Sequence, residues 1–143
     1  MAPRILLITS RYYERIALEL EKGAREVLDA AGVATTVKLV PGAFEIPAAV
    51  AMAADSDLYD GYVVLGCVIR GETTHYDYVC GESARGLMDL SVQRRLAIGY
   101  GILTVENQDQ AWARADRTQK NKGADAANAA LAMIDFRKDL LRG

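Results

Sequence analysis

The sequence predicts an α/β fold in which helices cover both faces of a four-stranded parallel sheet, and three observations predict it. Four short runs of apolar residues recur along the chain. A segment with helical periodicity follows each one, and the unusual polar and aromatic residues gather just after the strands. At 143 residues the chain suffices for one domain, expected over 1–143, with a core that needs no disulfide or metal.

The first run, Ile5-Leu6-Leu7-Ile8, is continuous rather than alternating, as a strand covered on both faces requires. A helix is predicted from Glu14 to Ala31, with Ile16, Leu20, Ala24, Val27, Leu28 and Ala31 on one stripe and Gly32 as its stop. Thr35 to Val40 is the second strand. Pro41-Gly42 turns the chain, and Pro47 suits the first turn of the next helix because its missing N–H is not needed there. The third strand, Tyr62 to Ile69, leads into a helix from Thr74 to Arg94. The fourth, Ala97 to Val105, leads through Asn107 into another helix, where Asn107 and Gln110 have the spacing of a capping box. Residues Asp116 to Gly123 carry no apolar stripe, so the last helix is expected to break before resuming over Ala124 to Leu141. Right-handed crossovers then place helices on both faces.

Composition excludes several functions. A net charge of −2 with no basic face argues against nucleic acid as a partner. Cys67 and Cys80 read as small buried hydrophobes, and with one histidine in the chain a structural zinc site lacks ligands. The N-terminal residues lead straight into a core strand, so neither signal peptide, membrane span nor membrane partner is expected, and a reducing cytoplasm is the simplest compartment.

In open parallel sheets ligands bind beyond the carboxyl ends of the strands. Those loops hold Ser10 to Tyr13, Pro41 to Pro47, and Arg70 to His75. Gly66-x-x-x-x-Gly71-Glu72-Thr73 superficially matches a nucleotide-binding loop, but Glu72 stands where lysine is needed and Gly66 lies inside the strand. Two readings of Gly71-Glu72-Thr73-Thr74 remain open: an anion site at a helix N-terminus, or a plain N-cap. His75 is either a proton carrier or a surface histidine in a first helical turn. Tyr12 and Phe44 are loop aromatics suited to a flat ligand or to covering the sheet edge, and Glu45 can be a charge at a helix start. Tyr100, about five residues before the strand end, stands roughly 16 Å from the carboxyl edge. It is therefore core, or it serves a neighbouring chain. Arg114 and Lys122 read by themselves as solvated cations.

Taken together, Pro41-Gly42-Ala43-Phe44-Glu45-Ile46-Pro47, the run Gly66 to Val79, Tyr100-Gly101-Ile102-Leu103-Thr104 and Asn121-Lys122-Gly123 closely resemble lumazine synthase. The resemblance implies a flavodoxin-like three-layer αβα sandwich. It also implies condensation of 5-amino-6-(D-ribitylamino)uracil with 3,4-dihydroxy-2-butanone 4-phosphate to 6,7-dimethyl-8-ribityllumazine, the penultimate step of riboflavin biosynthesis, without a cofactor. Carried over by motif, Tyr12 stacks on the pyrimidine, where the family more often has phenylalanine or tryptophan. Ala43, Phe44, Glu45, Cys67, Val68 and Ile69 hold the pyrimidine and ribityl chain. Gly71, Glu72, Thr73 and Arg114 take the phosphate, and His75 moves protons. Tyr100 and Lys122 match residues given by an adjacent subunit, so the resemblance implies active sites between subunits, with riboflavin synthase as a further partner.

Two departures bear on assembly. The segment before the first strand is short where relatives add a strand to a neighbour's sheet, and Asp116 to Lys120 lacks the glycines of many shell-forming members. A pentamer is expected rather than a sixty-subunit shell. A flavin or lumazine carrier on the same fold is the alternative function, and the archaeal type of riboflavin synthase a second. The phosphate loop, His75, Arg114 and Lys122 argue against both.

Overall fold

The computed structural model describes residues 2–142; the end residues of the expected 1–143 domain lie outside the described residues. The chain runs β1 (Arg4–Ser10), α1 (Glu14–Ala30), β2 (Ala34–Val40), a 3-10 turn (Ala43–Glu45), α2 (Ile46–Asp55) and β3 (Gly61–Ile69). It continues through α3 (His75–Gln93), β4 (Ile98–Val105), α4 (Gln108–Ala115) and α5 (Lys122–Leu141).

The strands form one parallel sheet in the order β2-β1-β3-β4. Ile5, Leu6, Leu7 and Ile8 are all buried, so β1 has no wet face. Side chains alternate along a strand, and this period of two divides the core. Ile5 and Leu7 join Leu20, Leu28 and Ile134 on the face covered by α1, α4 and α5. Leu6 and Ile8 join Ile46, Val50 and Leu87 under α2 and α3. The result is the expected three-layer α/β sandwich. Truncating a fully buried residue such as Leu7 to alanine costs about 2–5 kcal/mol, because the cavity closes only in part.

Gly32, at φ +70°, ends α1 with a left-handed residue that a side chain would strain. The helix ends at Ala30, so Ala31 lies beyond the stripe and is exposed, while Glu21 lies on the buried stripe. The residues before Pro47 wind into the 3-10 turn, leaving the proline at the start of α2. At α4, Asn107 Oδ1 accepts the Gln110 N–H at 2.9 Å. The reciprocal bond falls one residue earlier than a capping box predicts, with Gln110 Oε1 accepting the Glu106 N–H at 2.8 Å. The predicted break between α4 and α5 has a local cause. Asp116 leaves the helix and its Oδ1 accepts the Thr118 N–H and hydroxyl at 2.9 and 2.8 Å, bending the chain, and Asn121 then starts α5 at φ 46°. Cys67 is buried as expected, whereas Cys80 is only half-buried; both are free thiols. Among the described residues no helix is long and apolar enough to cross a membrane.

Candidate active site

The strand order reverses direction between β1 and β3, and the loops leaving the carboxyl ends of β1, β2 and β3 enclose a cavity of about 380 Å³ there. After β1 the chain offers Tyr12, whose ring is 75% exposed. Tyr13, packed against the core, meets that ring edge-on with centroids 5.0 Å apart. After β2, the 3-10 turn buries Ala43 and turns Phe44 and Glu45 outward; the turn is closed by the Glu45 N–H donating to the Gly42 carbonyl at 3.2 Å. Cys67, Val68 and Ile69 line the cavity from the end of β3, and His75 and Val79 from the first turns of α3. Burial pushes the Cys67 thiol up to about 12, so this residue is an apolar wall and not a nucleophile.

Gly71, Glu72 and Thr73 form an exposed loop between Ile69 and His75. Thr74 takes the N-cap position of α3, yet its side chain makes no cap bond. Thr73 Oγ1 instead accepts the His75 N–H at 3.3 Å, which fixes the backbone of the histidine. Arg70 faces away from this loop: its Nε donates to Glu106 Oε2 at 2.7 Å, and its guanidinium lies 4.3 Å from the Tyr76 ring centre. Asp77 Oδ1 stands 3.6 Å from the Arg70 guanidinium, which orients the carboxylate toward the arginine. Gly66 lies within β3 opposite Ile102, so no nucleotide-binding loop exists here.

The remaining predicted residues stand elsewhere. Tyr100, Arg114 and Lys122 line a separate recess of about 220 Å³ along β4. Tyr100 pairs with Val64 in the sheet register, five positions before Val105, in agreement with the distance counted along the strand. Burial pushes its phenol upward in pKa, partly offset by the neighbouring Ser83 hydroxyl. Arg114 donates to the Gln110 carbonyl at 3.1 Å, and Lys122 Nζ lies 3.4 Å from Asp125. Within one chain, therefore, Arg114 keeps company with Tyr100 and Lys122, not with Gly71, Glu72 and Thr73. Helix α4 leaves the outermost strand and runs about 12 Å, which carries its last turn away from the loops.

Sequence reasoning passed over Tyr13, Pro41, Gly42 and Val79 as cavity walls. Their signal was adjacency to residues already chosen. A larger groove of about 420 Å³ between α1 and α4 holds Arg15 over the Trp112 ring at 3.7 Å, but lies apart from the strand-end loops.

An aromatic-walled cavity with a carboxylate and a histidine, set at the switch point of a parallel sheet, defines an α/β protein of the small-molecule-binding class. The model of the 6,7-dimethyl-8-ribityllumazine synthase family matches residues 2–138. The 6,7-dimethyl-8-ribityllumazine synthase of Bartonella tribocorum is 55% identical over 137 residues, covering 95% of this chain and 91% of that one. That of Methylobacterium radiotolerans is 57% identical over 135 residues, covering 94% and 82%. A relative from Rhizobium meliloti, 6,7-dimethyl-8-ribityllumazine synthase 1, is 55% identical over 141 residues, covering 95% and 92%. The chain belongs to the 6,7-dimethyl-8-ribityllumazine synthase family.

Proposed function

We propose that this chain condenses 5-amino-6-(D-ribitylamino)uracil with 3,4-dihydroxy-2-butanone 4-phosphate to give 6,7-dimethyl-8-ribityllumazine, phosphate and water. The observation that carries this reading is the meeting of Tyr12, Phe44, Glu45 and His75 around one cavity beside the Gly71–Thr73 loop. Tyr12 and Phe44 offer faces to a flat pyrimidine, and Glu45 accepts hydrogen bonds from its polar edge or from the ribityl hydroxyls. The Gly71–Thr73 loop leads into the N-terminus of a nineteen-residue helix, where a phosphate is favoured.

An amine attacks the ketone and water leaves, phosphate is eliminated, and a second amine–carbonyl condensation closes the ring with loss of a second water. Each step moves protons. His75, at the rim between the pyrimidine cavity and the phosphate loop, is placed to relay them. The larger contribution is orientation, since holding two reactants together removes most of the entropic cost of a bimolecular step.

A single chain leaves Tyr100, Arg114 and Lys122 at the exposed edge of the sheet, away from the cavity. We place them in the site of an adjacent subunit, where the Arg114 guanidinium and Lys122 ammonium would face a phosphate brought by the neighbour's Gly71–Thr73 loop. Such a heterologous contact closes into a ring, and a pentamer is the assembly we favour. The free thiols suit a reducing cytoplasm. Mixing the protein with both substrates and following lumazine absorbance together with phosphate release tests the chemistry. Absence of both signals from an assembled protein would refute it. Light scattering tests the ring, and a megadalton particle would exclude a pentamer.

A further inference from the structure

Glu21 lies on the buried stripe of α1 beside Ala17, Leu20 and Ala24, where a carboxylate is costly unless it is paired. It is 7% exposed, and both its oxygens are engaged by residues at the end of β1. Arg11 donates through Nε to Oε2 at 3.0 Å and through a terminal nitrogen to Oε1 at 2.8 Å. The Thr9 hydroxyl donates to Oε2 at 3.1 Å and is fully buried. Between these two, Ser10 Oγ reaches the carbonyl of Pro41 at 3.4 Å, at the head of the turn that carries Phe44.

Tyr12 comes next. Its ring is three-quarters exposed, and its neighbour Tyr13 is held by the core. With residue 11 fixed by a two-point carboxylate fork and residue 13 by packing, the Tyr12 backbone is held, and its ring keeps only its own two side-chain torsions, steadied by the edge contact with Tyr13. An ion pair serving only to join α1 to β1 gains little over a well-packed apolar pair. This pair sits on the last residue before the exposed ring, and neither Glu21 nor Arg11 lines the cavity.

We infer that Glu21 is a positioning residue that acts through Arg11 to set the Tyr12 ring for stacking. The inference rests on the proposed role of Tyr12 against the pyrimidine.

The test uses the assembled full chain and its steady-state kinetics with each substrate varied. E21Q and R11M should each raise KM for the ribitylaminouracil about ten-fold, leaving kcat and KM for the butanone phosphate within about two-fold. In a Tyr12→Ala background, E21Q should add nothing, because the ring it positions is gone. Equal rises in both KM values, an unchanged KM for the uracil, or a full additive effect on top of Tyr12→Ala would overturn the inference and leave Glu21 a structural residue. Should E21Q or R11M fail to assemble, R11K, which keeps a cation beside Glu21 but loses the two-point fork, carries the same comparison. Wild-type protein that makes no lumazine refutes the proposed function itself, and the role of Tyr12 with it. Active wild type with an indifferent E21Q and R11M refutes only the role of Glu21.

Discussion

Gly99 faces Ala126 so closely that a Cβ on the glycine would stand 1.8 Å from the alanine's carbonyl oxygen. Helix α5 therefore lies directly on the backbone of β4, and the obstructing atom belongs to main chain that cannot swing aside. Gly99→Ala must push the helix off the sheet. We expect a loss of at least about 1–3 kcal/mol, the usual cost of overpacking, with the upper range favoured because backbone is displaced. Urea unfolding of the variant checks this, and an unchanged midpoint would show that α5 is not seated as described.

His75 stands at the rim of the cavity with its backbone fixed by Thr73, and in the mechanism proposed above orientation of the two reactants supplies most of the acceleration. His75→Ala should slow turnover by far less than the upper end of the usual general acid–base effect of about 10²–10⁴-fold. A complete loss of rate in a normally assembled variant would make the histidine indispensable and refute this.

The separation of Phe44 from Lys122 predicts complementation between damaged chains. Phe44→Ala and Lys122→Met should each be nearly inactive alone. Refolded together in equal amounts, they should recover roughly a quarter of wild-type activity, since random neighbours then rebuild intact sites at that frequency. A mixture no better than the average of the two variants would place the whole site within one chain.

Acid sensitivity has a named source at the α4–α5 break. Burial pushes the Glu19 carboxyl upward, but the Arg117 N–H and guanidinium, donating at 3.0 and 3.1 Å, outweigh it and hold the pKa below its ordinary 4.5. A carboxyl depressed in the folded state stabilises above its ordinary pKa, and that contribution is lost as pH falls through the lower, folded value. Arg117→Met should therefore lower Tm more at about pH 7 than at about pH 3, giving a flatter profile than wild type. Equal losses at both pH values would assign the effect to packing by the arginine stem.

These cases also show what a linear reading can reach. The strands were legible because double-sided burial forces continuous apolar runs such as Ile5 to Ile8. The break at Asp116 was legible because an amphipathic stripe simply stops. Counting residues back from Val105 was enough to move Tyr100 away from the strand ends. The company kept by Arg114 was not legible, since it depends on β4 being the outermost strand and on the direction in which α4 departs. The Arg11–Glu21 pair was missed for another reason. Its members are ten residues apart, one in the loop after β1 and one on α1, and the one signal, a carboxylate on an otherwise apolar helical stripe, reads as an ordinary charge until α1 is laid against β1.

The way Tyr12 is mounted has an evolutionary consequence. The ring does no work for the core, being mostly exposed and steadied through its neighbours. Exchange of one aromatic for another at this position is thus insulated from folding, and under the proposed role of Tyr12 selection there acts on ligand grip. On the proposed role of Tyr12, the chain would carry an adjustable stacking surface on a steady mount, so affinity for flat ligands could drift across generations while the scaffold stays constant.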